Sequence, residues 1–378
     1  MKFKQNLQYT KKSENTFLDK KAANIIKGIA ILLMLIHHFW GFPNWITESN
    51  KYLPILGNYY NLEIIIGAFG KICVSMFAFI TGYAIYINRA KYANLKYRLK
   101  IISKFLLNYW IFAFGFIIIG FLINENLPNI NYFIANLFGL ATGVFEYKTS
   151  YICVTMAWYV SFYIFIMLIL PLLLVHTNKG FLVDTFLMSF VFMIIYYISL
   201  KIGLFNIPII GSLIRSIVIH AKTILIGYYI SQYNIFDIIN NSLKINCLLK
   251  IILGMILCIL IFLLRALALV ADLHLDYIYA TFFIFGILLI YKEFIKYNKF
   301  TFIEKIILSM GRESLNLWFI HSIFFTPERK LQFIAYWPKN SIFILIWVVL
   351  LLLPLCKIIT KIQQFIWYKI NKKLSIIL

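Results

Sequence analysis

Long apolar segments follow one another along this chain, and they constrain its fold more than any other feature. About 20 apolar residues cross a bilayer as a helix. Segments of roughly this length can be read at 25–42, 62–87, 105–123, 154–175, 182–200, 212–231, 246–264, 277–291, 306–325 and 341–358. We therefore predict an all-α fold, a polytopic transmembrane helical bundle of about ten spans. Gly311, Arg312 and Glu313 lie inside the ninth segment, where they favour a break in the helix.

The composition leaves little room for structure outside the membrane. Apolar residues make up 62% of the chain and charged residues 13%, with a mean hydropathy of +0.85, whereas soluble domains carry about 25% charged residues. The predicted organisation is a cytoplasmic tail at 1–21, a transmembrane domain at 22–358 and a second cytoplasmic tail at 359–378. The five cysteines are scattered and form no CxxC pair, so we expect neither a disulfide framework nor a metal site.

The distribution of Lys and Arg orients the bundle. With the N-terminus inside, the predicted inner segments hold 25 of the 36 Lys and Arg residues and the outer loops hold 8. Cytoplasmic loops collect these residues, so we predict that both termini are cytoplasmic in a multi-pass protein of the cell membrane. The same rule explains the net charge of +22. Because the sequence has no basic helix or aromatic RNA-binding motif, we expect the lipid bilayer, and not nucleic acid, as a partner.

Ionisable residues inside the first span are the strongest functional signal. A bilayer penalises such side chains, which makes them candidates for a site. Lys27 and His38 share one helix face about 16 Å apart, whereas His37 points about 80° away from Lys27. An imidazole takes and returns a proton near neutral pH, so His38 is a candidate general base. For His37, the alternatives are that it packs on a neighbouring helix, reaches the outer interface or is itself the base.

Three further spans carry polar candidates. Lys71 and Thr81 lie in the second span, where Lys71 either snorkels to the outer surface or faces the bundle interior. Arg215 and Lys222 share a face of the sixth span, which suits an anion or a water-filled cavity unless Arg215 sits at the outer interface. Trp158 opens the fourth span, as an interfacial aromatic residue would.

The ninth span and one basic loop complete the set. Ser314, Trp318 and His321 lie on one face of the ninth span. Glu313 can orient a histidine, bind substrate hydroxyls or pair with a lysine on another helix. The basic loop before the third span either anchors lipid headgroups or contacts an anionic cosubstrate. Its cations are Arg89, Lys91, Lys96, Arg98, Lys100 and Lys104.

Four stretches, in this order, resemble the acyltransferase 3 family of integral membrane O-acyltransferases. The run from Lys27 to His38 is similar to the family's first-helix motif, an Arg followed by a His, with Lys27 in the place of the Arg. The other three are Phe77 to Tyr83, an aromatic run with Thr81 where the family has Ser; Trp158 to Pro171, a Trp-aromatic helix ending in Pro; and Gly311 to His321, a late Gly-x-x-Ser…His segment.

The resemblance implies O-acyl transfer, typically of acetyl, from cytoplasmic acyl-CoA to a hydroxyl of a glycan or lipid-linked saccharide. Acyl-CoA is then a cosubstrate, with no permanently bound cofactor. Lys27, Arg89 and Arg98 would hold its phosphates, and His38 would deprotonate the acceptor hydroxyl. The candidates for stabilising the oxyanion are Lys71, Arg215, Lys222 and His321. The remaining catalytic or substrate-binding candidates are Glu313, His37, Thr81, Trp158 and Ser314.

Two other classes of protein stay open on the residues alone. A glycan-lipid flippase or a polysaccharide polymerase would also use intramembrane cations, to bind a lipid diphosphate. A flippase is expected to have more spans than this chain, however. A polymerase is expected to have a long outer loop rich in Arg and His, whereas Lys148 is the only basic residue in the sequence of the loop 124–150. A proton-coupled transporter using His38 and Glu313 is disfavoured because no internal repeat is evident.

Overall fold

The secondary structure of the protein is helical. The computed structural model describes residues 16–56, 61–123, 130–140, 157–174, 179–267, 275–296, 301–325 and 330–377. These ranges contain helices, turns and loops, together with isolated bridge residues such as the pair Leu53 and Asn340. The predicted all-α fold is therefore confirmed. Cys153 and Lys148 lie outside the described residues.

The helices follow the predicted spans closely. They are α1 Lys20–Trp40, α2 Asn61–Gly70, α3 Cys73–Ile87, α4 Arg89–Tyr92, α5 Leu95–Leu122, α6 Ile130–Leu137, α7 Trp158–Leu173, α8 Phe181–Lys201, α9 Pro208–Gln232, α10 Ile235–Ser242, α11 Cys247–Leu267, α12 Asp276–Lys296, α13 Thr301–Arg312, α14 Ser314–Ile320, α15 Gln332–Tyr336 and α16 Ser341–Ile377. Among the described residues, eight helical segments are long and apolar enough to cross a membrane. Two further apolar segments are shorter, Trp158–Leu172 and Ser314–Phe325. The chain is a polytopic helical bundle.

Two of the spans are broken. The ninth span divides at Glu313 into α13 and α14, as its sequence favours. The second span divides at Lys71 into α2 and α3, which the sequence analysis does not anticipate. At this break the Lys71 N–H donates a hydrogen bond to the Ala68 carbonyl, three residues earlier in the chain. The Gly67 carbonyl, four residues back, therefore loses its usual helical partner.

Glycines bring α1 and α13 into close contact. Gly28 on α1 faces the Ile307 backbone on α13, and Gly311 on α13 faces the Asn24 backbone on α1, each too near to leave room for a Cβ. Lipid offers no hydrophobic drive for helix association, so small residues that permit close backbone approach supply much of the packing. This contact holds the ninth span against the face of α1 that carries the first-span candidates.

The last helix is longer than the predicted span. α16 runs to Ile377, so the segment 359–378, predicted as a tail, is helical as far as that residue. Thr360 and Gln363 accept hydrogen bonds from Asn316 on α14. The apolar stretch ends near residue 358, but these polar contacts keep the helix packed on the bundle for at least one further turn.

Candidate active site

Three imidazole rings meet at the C-terminal end of α1. His38 lies 4.8 Å from His37 and 4.9 Å from His321, measured between ring centroids. His321 is fully buried and begins the 3-10 turn that follows α14. The packing of the ninth span on α1 thus brings together His38 and His321, two residues that the sequence analysis names as catalytic candidates.

Backbone carbonyls orient two of the rings. His37 Nδ1 donates to the Gly67 carbonyl at 2.8 Å, and His321 Nδ1 donates to the Leu317 carbonyl at 3.1 Å. A carbonyl oxygen only accepts, so Nδ1 carries the hydrogen in both rings. The Gly67 carbonyl can accept from His37 because, at the break, the Lys71 N–H donates to Ala68 and not to Gly67. In its neutral form, His321 therefore presents Nε2 as a hydrogen-bond acceptor.

The contact between His38 and His321 leaves two nitrogens unpaired. His38 Nδ1 and His321 Nε2 are buried, and neither has a hydrogen-bond partner in the part of the chain that the structure describes. Leaving a buried polar group unpaired costs about 1–3 kcal/mol, and most such groups in proteins are paired. The aromatic neighbours Phe42 and Phe325 supply no polar side-chain atom. A hydrogen bond from His38 Nδ1–H to His321 Nε2 would pair both nitrogens and leave His38 Nε2 to exchange a proton.

A cavity of about 280 Å³ opens between α1, α3, α5, α7 and α14. Its wall contains three candidates from the sequence, Lys27, Thr81 and Ser314. The rest of the wall is mostly aromatic or aliphatic: Phe77, Ile80, Ala84, Tyr92, Phe105, Tyr159, Tyr163, Met167, Leu315 and Trp318. Lys27 forms no ion pair with any described residue, so its charge is available to an anionic ligand.

Of the two candidates on α1, Lys27 lines the cavity and His38 does not. Lys27 borders it beside Ser314, and His38 packs on His321, so both α1 residues face the same short stretch of the ninth span. Trp318 lines the cavity one turn after Ser314 and three residues before His321. Lys27 and His38 lie about 16 Å apart along α1, so the cavity and the imidazole pair occupy different levels of the same helix face.

The other predicted cations of the spans lie away from this cavity. Lys71 is exposed at the break between α2 and α3. Arg215 is exposed, with its guanidinium over an aromatic ring, and Lys222 is half-buried on α9. None of the three belongs to the cavity wall. Among the four oxyanion candidates, His321 is the one that contacts the His38 ring.

Two other candidates make local contacts. Thr81 Oγ1 donates to the Phe77 carbonyl at 2.9 Å, so its hydroxyl hydrogen is occupied within α3 and its oxygen is left to accept. Trp158 stacks on His220 with 5.5 Å between ring centroids, and it does not line the cavity. The stack packs α7 against α9.

The two arginines proposed to bind a cosubstrate have different environments. Arg98 is only 3% exposed, and its guanidinium donates to the Leu168 carbonyl on α7. Arg89 is half-buried, with its guanidinium 4.3 Å above the Tyr86 ring. Burial ties Arg98 to the helix packing, whereas Arg89 remains at the surface of the basic loop.

Glu313 is held by the last helix. Its carboxylate accepts from Thr360 Oγ1 at 2.5 Å and from Asn316 Nδ2 at 3.3 Å. Asn316 Nδ2 also donates to Thr360 and Gln363, and Gln363 Nε2 donates back to Asn316 Oδ1. Within the described ranges, no hydrogen bond joins this carboxylate to a histidine or a lysine. Glu313 therefore joins the start of α14 to α16.

Residues 20–361 match the acyltransferase 3 family model, which describes an acyltransferase domain. The chain belongs to the acyltransferase 3 family. The match includes α1, the cavity wall and the three histidines. A search of the curated proteins and of the solved structures found no match. As a member of this family the chain is a membrane acyltransferase with an acyl donor and an acceptor, and the flippase, polymerase and transporter alternatives are set aside.

Sequence reasoning missed a buried ion pair that supports the site of this acyltransferase. Arg265 and Asp276 form a two-point contact, with N–O distances of 2.9 and 3.1 Å. Arg265 also donates to the Ala68 carbonyl, next to the Gly67 carbonyl that holds His37. The available signal is a pair of opposite charges flanking the link between the seventh and eighth spans.

Proposed function

We propose that this membrane acyltransferase transfers an acyl group, typically acetyl, from cytoplasmic acyl-CoA to a hydroxyl of a cell-surface glycan or glycolipid. One observation carries the proposal. Among the described residues the His38–His321 pair has unpaired nitrogens, and it lies three residues along the ninth span from Trp318, which lines a cavity together with the cation Lys27. Hydroxyl acylation needs a base that takes the hydroxyl proton near a site for the activated acyl group, and this arrangement supports a proposal of both. We place the protein in the cell membrane.

The donor would occupy the cavity with its charged end toward Lys27. Acyl-CoA is polyanionic, and its pantetheine arm is a narrow chain that suits a largely apolar wall. A lysine offers a compact positive charge where an arginine would offer two parallel hydrogen bonds, so Lys27 would attract the phosphates without fixing their orientation. Arg89 is the surface arginine that would assist. We do not assign Arg98 to phosphate binding, because its guanidinium donates a hydrogen bond to the α7 backbone.

In the proposed reaction His38 is the general base. The acceptor oxygen forms a bond to the thioester carbonyl carbon while its proton moves to His38. The C–S bond then breaks, and His38 returns the proton to the departing sulfur, which yields an ester and free CoA thiol. His321 is a positioning residue: its Nε2 would accept from His38 Nδ1–H and leave His38 Nε2 to act as the base.

Mass spectrometry of cell-surface glycans tests this function. Cells that carry the wild-type protein should show a glycan with an added acetyl group that is released by mild base, and cells without it should lack this species. His38→Ala should remove the species at unchanged abundance of the protein in the membrane. Acylation at the wild-type level in the His38→Ala cells would overturn the assignment of His38.

A further inference from the structure

The indole of Trp318 carries a hydrogen-bond donor that the protein does not use. The side chain is only 6% exposed, and Nε1 is buried without a hydrogen-bond partner among the described residues. An indole nitrogen can only donate, so water or a ligand atom that accepts is what could satisfy it. Buried Trp normally finds such a partner. The unpaired N–H therefore marks a place where an acceptor atom is expected.

Other tryptophans of the same chain follow the usual rule. Nε1 of Trp40 donates to the Ser341 carbonyl at 3.1 Å, and Nε1 of Trp347 donates to the Ile334 carbonyl at 2.8 Å. The Trp318 ring instead packs on Phe77 and Tyr159, with centroid distances of 5.5 and 5.4 Å. Like Trp318, these two rings border the cavity.

Trp318 is also close to the proposed base. On a helix, residues three or four apart are neighbours, so Trp318 adjoins Ser314 on one side and His321 on the other. Ser314 lines the cavity, and His321 contacts the His38 ring. Trp318 thus lines the cavity three residues before the histidine that contacts His38, which is where we place the reacting end of a donor.

We propose that Trp318 Nε1–H donates to the carbonyl oxygen of the bound thioester and stabilises the oxyanion formed during transfer; this rests on the proposed function. As the acceptor oxygen attacks and its proton moves to His38, the carbonyl π electrons move to the carbonyl oxygen. That oxygen strengthens its hydrogen bond from Trp318. Its electrons return to re-form the carbonyl when the C–S bond breaks, and the sulfur takes the proton from His38.

Trp318→Phe and Trp347→Phe are matched variants, since each removes one indole N–H and keeps an aromatic ring. Trp318→Phe should lower kcat about 10²-fold, the usual cost of removing one oxyanion donor. The KM for acyl-CoA should change by less than about threefold, and thermal stability should hold, because no protein hydrogen bond is lost. Trp347→Phe should lower thermal stability and leave kcat unchanged. A kcat for Trp318→Phe equal to that of the wild type overturns the proposal.

A binding measurement separates this idea from the function on which it rests. Calorimetry would compare a CoA ketone analogue, which keeps the carbonyl, with a CoA thioether that lacks it. Trp318→Phe should weaken binding of the ketone about 2- to 10-fold and leave the thioether unaffected. Equal binding of the ketone by both proteins overturns the role of Trp318 alone. Failure of the wild type to bind either analogue overturns the donor site itself.

A second variant covers the case in which Trp318→Phe does not fold. Benzothienylalanine at position 318 keeps the size and shape of the indole and replaces N–H with sulfur. It should show the same loss of kcat. Wild-type kcat in this protein would contradict the oxyanion role.

Discussion

The two faces of α14 treat their polar residues in opposite ways. On one face Glu313 and Asn316 belong to a closed hydrogen-bond network with Thr360 and Gln363 of α16. On the other face Trp318 and His321 each keep a buried nitrogen without a partner in the described structure.

This difference between the two faces of α14 distinguishes a structural helix–helix interface from a candidate active site. A satisfied buried network holds two helices in one arrangement, whereas an unpaired buried group lowers stability unless a ligand pairs with it. Under the proposed function, the side with unpaired groups binds the substrates and the side with the network holds the two helices together. Changes on the two faces should therefore affect different quantities.

The largest effect is expected on the unpaired face. His321→Ala should lower kcat about 10²-fold or more, because His38 loses the group that orients it. Membrane abundance should be retained, and acyl-CoA binding should change little. Initial rates in detergent or vesicles check this. A near-normal kcat for His321→Ala would exclude His321 from the mechanism. It would also contradict the expectation that the two faces of α14 differ in their effect on turnover.

On the network face the expected effect is on stability. Asn316→Ala leaves Gln363 without its partner and should lower the free energy of unfolding by about 1–3 kcal/mol. Turnover per folded molecule should stay near that of the wild type. Thermal melting of the purified protein, measured beside kcat, tests both parts. A lost kcat with unchanged melting would place this face in the active site.

The cavity end of α1 should respond through KM. Lys27→Glu replaces the cation with a negative charge that repels the phosphates of acyl-CoA, so it should raise the KM for acyl-CoA about tenfold. Lys27→Arg keeps the positive charge and should be tolerated. The effect should weaken at high salt because the interaction is electrostatic. The same kinetics for all three proteins would exclude Lys27 from the donor site.

The smallest effect is expected at His37. His37→Phe keeps a ring and removes one hydrogen bond to the Gly67 carbonyl, so stability should fall by about 0.5–1.5 kcal/mol. Turnover should fall less than about tenfold, in line with a packing role. A loss of turnover as large as that of a His38 variant would show that both histidines handle the proton.

Local periodicity was enough to predict how the candidate residues are arranged around α1. An ideal helix turns by about 100° per residue, which places Lys27 and His38 on one face and His37 on another, and the structure has the same arrangement. The helical spans and the break near Glu313 follow from apolar length and from the helix-weakening glycine before it.

Contacts between distant segments could not be predicted in this way. Glu313 binds Thr360, which lies 47 residues away on another helix, and no pattern within the ninth span indicates that partner. The burial of Arg98 likewise depends on how α5 meets α7. The break at Lys71 had a weak signal in the preceding Gly70, which packs against the α1 backbone at Leu33.

The most direct test of the central claim measures donor binding and acyl transfer together in wild-type protein and His38→Gln. The account predicts that both proteins bind acyl-CoA with the same Kd. It also predicts that the wild type transfers the acyl group in a single turnover, while His38→Gln is slower by about 10²- to 10⁴-fold. Transfer by His38→Gln at the wild-type rate, at equal donor binding, would contradict the account.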